Sequence, residues 1–213
     1  TVCSTASPQS LMAHLGGFPA NGGTWSGPST VVGSTYDPGT MSPGIYTYTV
    51  PGTAPCLNDQ ATVTVTVQAQ PVAGVNGSIA FCSTDAAQAL QPVLGGTSQA
   101  GGTWTAPGGG AFAGSYDPAV NGPGPYVYTI AAAAPCANAS ATVTVTENAA
   151  VNAGVNGALS FCSNNAPLGL IAGLGGGPQA GGTWTAPGGG AFSGSFDPAA
   201  DAPGIYTYTV IGT

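Results

Sequence analysis

The sequence repeats one unit of about eighty residues three times, and this repetition constrains the fold before any strand is assigned. The anchors of the unit recur at a spacing of 80, except that the first two tryptophans are 79 residues apart. The Trp of GGTW recurs as Trp25, Trp104 and Trp184. The Asp of an aromatic-Asp-Pro step recurs as Asp37, Asp117 and Asp197, and the second Tyr of Tyr-x-Tyr-Thr recurs as Tyr48, Tyr128 and Tyr208. A fixed period of this length is typical of arrays in which each repeat is one small folding unit. We therefore divide the chain into a first copy (1–70, entry strand missing), a complete second copy (71–150) and a third copy (151–213, last strand missing).

Within each copy the residue pattern is that of short β-strands. Residues 140–146 alternate with period two, so that Val143 and Val145 face inward while the threonines between them face solvent. Six or seven such strands fit each copy, and no stretch has helical periodicity. The prediction is an all-β chain of tandem antiparallel β-sandwich repeats. The linkers, residues 68–71 and 147–150, are short, which predicts a semi-rigid rod.

The five cysteines follow the same period. Cys3, Cys82 and Cys162 share one position of the unit, and Cys56 and Cys136 share another. The pairing predicted within each copy is Cys3–Cys56 and Cys82–Cys136, with Cys162 bonded to a partner outside the chain; the alternative is buried free thiols. Disulfides form in oxidising compartments, so this pattern favours an extracellular or cell-surface location.

The charge of the chain excludes two classes of partner. It has seven acidic residues, no Lys and no Arg, and a net charge of −7. Nucleic acids are bound through Lys and Arg contacts to phosphates, so they are excluded as partners. Attraction to an anionic membrane surface is not expected for the same reason. The sequence also has no run of about 18 apolar residues, so a membrane-spanning helix is not predicted.

Catalytic motifs are not apparent in the sequence. The single histidine, His14, occurs only in the first copy, and a Ser-His-Asp set needs its His beside an acid on a rigid element. The glycine runs follow a proline in a turn and have no helix after them, so a phosphate-binding loop is not expected. We predict that the chain is not an enzyme and that it needs no cofactor.

Calcium is the one metal for which the sequence offers candidates. Asp37, Asp117 and Asp197 recur in every copy, and carboxylates are ligands for calcium in extracellular modules. Each copy offers only one or two acids, however, and Asp-Pro is a common turn starter. Turn capping is therefore the preferred interpretation.

The recurring aromatic residues have two interpretations. They are Trp25, Trp104, Trp184, Tyr46, Tyr126 and Tyr206. A Trp at one fixed position in every unit most often fills the core, and we predict a structural role for all six. The alternative is a face on which sugars stack. Rows of outward threonines, such as Thr62, Thr64 and Thr66, are interpreted as ordinary exposed strand residues.

The order of these motifs resembles a known module. Ala-Gly-Gly-Thr-Trp, then Gly-[Ser/Thr]-[Tyr/Phe]-Asp-Pro, then Pro-Gly-x-Tyr-x-Tyr-Thr, then Ala-Pro-Cys and a Thr/Val strand, is similar to the Ig-like repeats of long surface and secreted proteins of Bacteroidota. These include adhesin-like and gliding-associated proteins. The stretch Asp117 to Tyr126 also resembles the tyrosine corner of Ig-type sandwiches, in which a Tyr hydroxyl bonds to nearby backbone.

The resemblance and the repetition together imply a structural role. The expected function is that of a component of an extracellular bacterial filament, fibre or cell-surface stalk, whose partners are other copies or further repeats of the same protein. The alternative is an adhesin repeat region that binds glycans or host or abiotic surfaces.

Overall fold

A computed structural model describes residues 1–212 of the chain, and over that range the fold is all-β, as the sequence predicts. The first copy contains β1 (Val2–Cys3), β2 (Gln9–Ser10), β3 (Thr24–Ser26), β4 (Thr35–Tyr36), β5 (Gly44–Val50), β6 (Asp59–Val65) and β7 (Val67–Gln68). The second copy contains β8 (Gly77–Cys82), β9 (Gln88–Ala89), β10 (Thr103–Thr105), β11 (Ala111–Phe112), β12 (Ser115–Tyr116), β13 (Gly124–Ile130) and β14 (Ala139–Asn148). The third copy contains β15 (Leu168–Gly169), β16 (Thr183–Thr185), β17 (Ala191–Phe192), β18 (Ser195–Phe196) and β19 (Thr207–Thr209).

Helical structure is confined to three short 3-10 segments among the described residues. They are Met12–His14, Gln91–Val93 and Leu170–Gly173, one in each copy. No helix in the described part of the chain has the length and apolar character needed to cross a membrane.

The strands of the second copy form one large and one small sheet. The large sheet has the order β11-β10-β13-β14-β8, and the small sheet pairs β9 with β12. The first copy has the corresponding sheets β3-β5-β6, β1-β7 and β2-β4, and the third copy has β17-β16-β19 and β15-β18. Neighbours in the β10-β13-β14 part are antiparallel, whereas β1 and β7 are parallel.

The core of each copy lies between its small and large sheets. Tyr116 of the small sheet packs edge-on against Tyr126 of the large one, with ring centroids 5.6 Å apart. Tyr36 and Tyr46 repeat this contact at 5.5 Å in the first copy. The predicted alternation along the last strand is confirmed in the second copy, where Val143 is completely buried. Burial of apolar surface on one face of each sheet is therefore the main force that holds the layers together.

Contacts group the chain into two compact units. The first comprises Thr1–Ile79, Ala87–Asp117 and Asn121–Thr146, and the second comprises Ala80–Ala86, Pro118–Val120 and Glu147–Thr213. The first copy and most of the second thus belong to one unit, and the third copy belongs to the other.

The disulfide pairing corrects the sequence prediction. Cys3 is bonded to Cys136 across 133 residues of sequence, so it joins the first copy to the second, and Cys56, Cys82 and Cys162 are free thiols. The predicted pairs Cys3–Cys56 and Cys82–Cys136 are wrong. A partner for Cys162 outside the chain stays a prediction.

Strand direction explains the correction. Cys3 lies beside Gln68, at the end of the last strand of its copy, because β1 runs parallel to β7. Cys56 lies three residues before β6, which begins at Asp59 and is followed by Thr66 and then β7. At roughly 3.3 Å per residue, the extended stretch from residue 59 to residue 68 separates the two positions by about 30 Å. A disulfide needs Cα atoms within about 7 Å, so the pair within the copy cannot form.

Candidate functional site

A glycine, a tyrosine and a tryptophan form one recurring cluster in every copy. In the second copy, the Gly102 N–H donates to the Tyr128 hydroxyl at 2.8 Å, and that hydroxyl donates to the Gln99 carbonyl at 2.7 Å. The Trp104 ring packs on the Tyr128 ring with centroids 5.0 Å apart. The same cluster recurs in the other two copies with nearly identical distances. The GGTW phrase is therefore explained by structure: its second glycine lets a Tyr hydroxyl reach the backbone.

The other predicted tyrosines bond to backbone four residues upstream. The Tyr126 hydroxyl donates to the Gly122 carbonyl at 2.7 Å, as in the tyrosine corner that the sequence resembles. Tyr46 and Tyr206 make the equivalent bond. Burial raises the pKa of Tyr126, because its apolar surroundings disfavour the phenolate. Each of these tyrosine hydroxyls is thus bonded to the backbone just before its own strand.

The three tryptophans are only partly available to a sugar. Trp104 is buried, whereas Trp25 and Trp184 are half-buried. Trp25 also donates from Nε1 to the Ser34 hydroxyl at 3.0 Å. In every copy the indole packs on a tyrosine ring, so this part of its surface is not available to a sugar. Thr62 and Thr64 of β6 and Thr66 directly after it are exposed, as predicted.

The recurring aspartates cap their own turns. Asp37 Oδ1 accepts from the Gly39 N–H at 2.9 Å, and its Oδ2 accepts from the Thr40 hydroxyl at 2.9 Å. Asp197 accepts from the Ala199 N–H at 2.9 Å. Turn capping is therefore confirmed at these two positions. Among residues 1–212, no three His, Cys, Asp or Glu side chains lie close enough together to hold a metal ion.

The histidine of the first copy lies at the surface: His14 is exposed at the end of the first 3-10 segment.

The joint between the first and second copies is held by more than the disulfide. The Gln70 N–H donates to the Ser4 hydroxyl at 3.0 Å, and Gln70 Nε2 donates to the Ala137 carbonyl at 2.7 Å. One linker residue therefore binds both copies. The next linker repeats the first of these bonds, since the Ala150 N–H donates to the Ser83 hydroxyl at 2.9 Å.

An open groove lies in the third copy. It has a volume of about 840 Å³. Aromatic and aliphatic side chains line it, among them Phe161, Leu170, Trp184, Phe196, Tyr206 and Tyr208. In the second copy the strand β14 covers the equivalents of Tyr206 and Tyr208. Residues 151–212 contain no counterpart of β14.

The sequence indicated only part of this site. That the third copy lacks its last strand stays a prediction, and the sequence analysis did not identify the residues that line the groove. The signal was available, because Tyr126, the equivalent of Tyr206, is paired with Val143 of the strand in question. The chain matches no known family model, and a search of curated proteins also finds no match.

Proposed function

We propose that the chain is a structural component of an extracellular bacterial filament, fibre or cell-surface stalk built from tandem Ig-like repeats. The observation that carries the proposal is the covalent joint between copies, the disulfide from Cys3 to Cys136. A bond within one copy would stabilise only that copy. A bond between copies limits how far the array extends when it is pulled, which suits a load-bearing structure.

The linker supports the same function. Gln70 is hydrogen-bonded to both neighbouring copies, so the two do not behave as beads on a flexible tether. The disulfide is compatible with an oxidising compartment, which is where a surface fibre would be found. The expected partners are other copies or further repeats of the same protein.

Electron microscopy of the purified chain tests the proposal. The oxidised protein, concentrated in the absence of thiols, is expected to form fibres or ordered end-to-end or lateral assemblies. The same preparation of the Cys3→Ser variant is the matched control for the joint. Only monodisperse monomers at every concentration, in both proteins, would contradict the proposal.

An adhesin is the second candidate, and one observation favours it. Thr62 and Thr64 of β6, with Thr66 directly after that strand, are exposed at alternate positions and present hydroxyl and methyl groups to solvent. Binding to glycan-coated or mineral surfaces that is lost when the three threonines are replaced by Asp would favour this function. Unchanged binding in that triple variant, or no binding at all, would remove it.

A further inference from the structure

We propose that Asn21 is a site of spontaneous deamidation, at which its side chain closes on the Gly22 nitrogen and the main chain is left as an isoaspartate. The modification releases the loop that Tyr48 holds, so it loosens the aromatic cluster of the first copy with time. This proposal does not depend on the fibre proposal, because the reaction needs only this loop and water.

The reaction uses the main chain as the nucleophile. The Gly22 nitrogen gives its proton to solvent, and its electron pair forms a bond to Cγ of Asn21. The bond from Cγ to the side-chain nitrogen breaks, and ammonia leaves. Water then opens the cyclic imide. Attack of water at Cγ yields an ordinary aspartate, whereas attack at the main-chain carbonyl carbon yields an isoaspartate, whose main chain runs through Cγ and is longer by one atom.

The structure distinguishes the first Asn-Gly link of the sequence from the others. Asn21 and Gly22 lie in an exposed turn, and a Cβ built on Gly22 would meet nothing within 4 Å. Among residues 1–212, neither the Asn21 side chain nor the Gly22 N–H has a hydrogen-bond partner. Glycine also has no side chain to hinder its nitrogen. The amide and its nucleophile are therefore free to approach each other.

The other Asn-Gly links begin at Asn76, Asn121 and Asn156, and each is held in place. Asn76 and Asn121 each accept a main-chain N–H through Oδ1 at 2.9 Å. Gly157, which follows Asn156, is packed against the Gly173 carbonyl. Each of these links has to give up a contact before the ring can close, so each is expected to react more slowly than Asn21.

The Tyr48 hydroxyl bridges the two sides of the reactive link. It donates to the Ala20 carbonyl at 2.9 Å and accepts from the Gly23 N–H at 2.8 Å. The approach is tight, since a Cβ built on Gly23 would lie 2.5 Å from Tyr48 Cζ and 2.7 Å from the Thr49 carbonyl oxygen. Asn21 and Gly22 are the residues between the two bonded groups. A longer main chain between Ala20 and Gly23 therefore does not keep both bonds.

The other two copies have the same loop without the reactive amide. At the position of Asn21 they carry Ala100 and Ala180. Their loops are held in the same way, because the Gly102 and Gly182 N–H groups each donate to a tyrosine hydroxyl at 2.8 Å. An alanine cannot close the ring, so these loops are internal controls for the first copy.

Ageing of the purified full chain in mildly alkaline buffer tests the site. Each event adds one carboxylate, which changes the net charge from −7 to −8, so anion-exchange chromatography separates the product. Peptide mapping uses a protease other than trypsin, since the chain has no Lys or Arg. Asn21 is expected to react about fivefold or more faster than Asn76 or Asn121, because one hydrogen bond corresponds to roughly that factor. Equal rates, or a faster reaction at another link, would overturn the proposal.

Amide exchange of the separated isoaspartyl form, measured by NMR, tests the release of the loop. The Gly23 N–H is expected to exchange about fivefold or more faster than in the parent chain, since it loses its bond to Tyr48. The equivalent amides of Gly102 and Gly182 are expected to keep their parent rates. Unchanged protection of Gly23 would show that the bond survives, and it would overturn the proposed release.

Two variants separate the longer main chain from the added charge. Asn21→Ala carries the residue of the other copies and is expected to keep the Gly23 bond and to gain no charge at this position on ageing. Freshly purified Asn21→Asp has the charge without the longer main chain, and its Gly23 amide is expected to exchange as in the parent. Fast exchange in fresh Asn21→Asp would assign the release to charge and overturn its assignment to the isoaspartate.

Discussion

The Gly102 N–H donates a hydrogen bond to the hydroxyl of Tyr128 at 2.8 Å, and this contact leaves no space for a side chain at Gly102. A Cβ at that position would lie 2.6 Å from Tyr128 Cζ and 2.7 Å from the Thr129 carbonyl oxygen. The glycine is therefore required by a close approach within the core of the second copy.

We expect the substitution Gly102→Ala to destabilise the second copy by about 1–3 kcal/mol, because overpacking displaces the tyrosine ring. Chemical denaturation followed by tryptophan fluorescence measures the change. The control is Gly110→Ala, where a Cβ meets nothing within 4 Å. Similar losses in the two variants would mean that the close approach is not what the glycine provides.

The alternation along β14 gives a second prediction. Val143 is completely buried and Thr144 is exposed. Replacing Val143 by Ala is expected to cost about 2 kcal/mol in the free energy of unfolding, since two buried carbons are lost and a small cavity is left. Thr144→Ala is expected to change it by less than about 0.5 kcal/mol. Urea denaturation of both variants measures the difference, which a reversed order would contradict.

The strand pattern was predictable because it depends on local periodicity. The Thr/Val alternation, the Asp-Pro turns and the backbone bond of Tyr126 all lie within a few residues of sequence, where residue type decides the geometry. Features of this kind are determined by residues that are close in sequence, so they can be predicted without knowing the long-range contacts.

The disulfide was not predictable in the same way. The period shows that Cys3 and Cys82 are equivalent, but it leaves open whether each bonds within its copy or with the next. That choice depends on the relative direction of the first and last strands of a copy. When the two strands run parallel, the cysteine of the first strand and the cysteine before the last strand lie at opposite ends of the copy. The pairing of Cys3 with Gln68 in register establishes that direction, and it is a long-range property that no local pattern records.

The buried tyrosines predict the behaviour of the chain at alkaline pH. The pKa of Tyr36 is raised from 10.0, first by burial and then by the nearby Tyr46 and Asp37, and burial raises that of Tyr126. A raised folded-state pKa means that the stabilisation is complete below pH 10.0 and is lost as the pH rises through the folded value. We expect thermal unfolding temperatures that are level up to about pH 10 and fall above it.

The variant Tyr126→Phe separates this effect from general alkaline damage. It removes the ionisable hydroxyl and also the bond to Gly122, so its stability is expected to be lower near neutral pH and to fall less steeply above pH 10.0. A variant with the same alkaline slope as the parent chain would show that the phenol of Tyr126 does not contribute.

The bond between copies predicts a distinct mechanical response. When the chain is stretched from its two ends, the disulfide prevents extension of the segment from Cys3 to Cys136, whose sequence separation is 133 residues. Each extended residue spans roughly 3.4 Å, so reduction is expected to lengthen the fully stretched chain by about 450 Å. Single-molecule force spectroscopy with and without a reducing agent measures this length.

Two variants serve as controls for this measurement. Cys3→Ser is expected to reach the full stretched length without reduction. Cys56→Ser, which removes an exposed free thiol, is expected to retain the shorter length. A shortening of only about 180 Å, the span of a loop within one copy, would instead indicate the pair Cys3–Cys56.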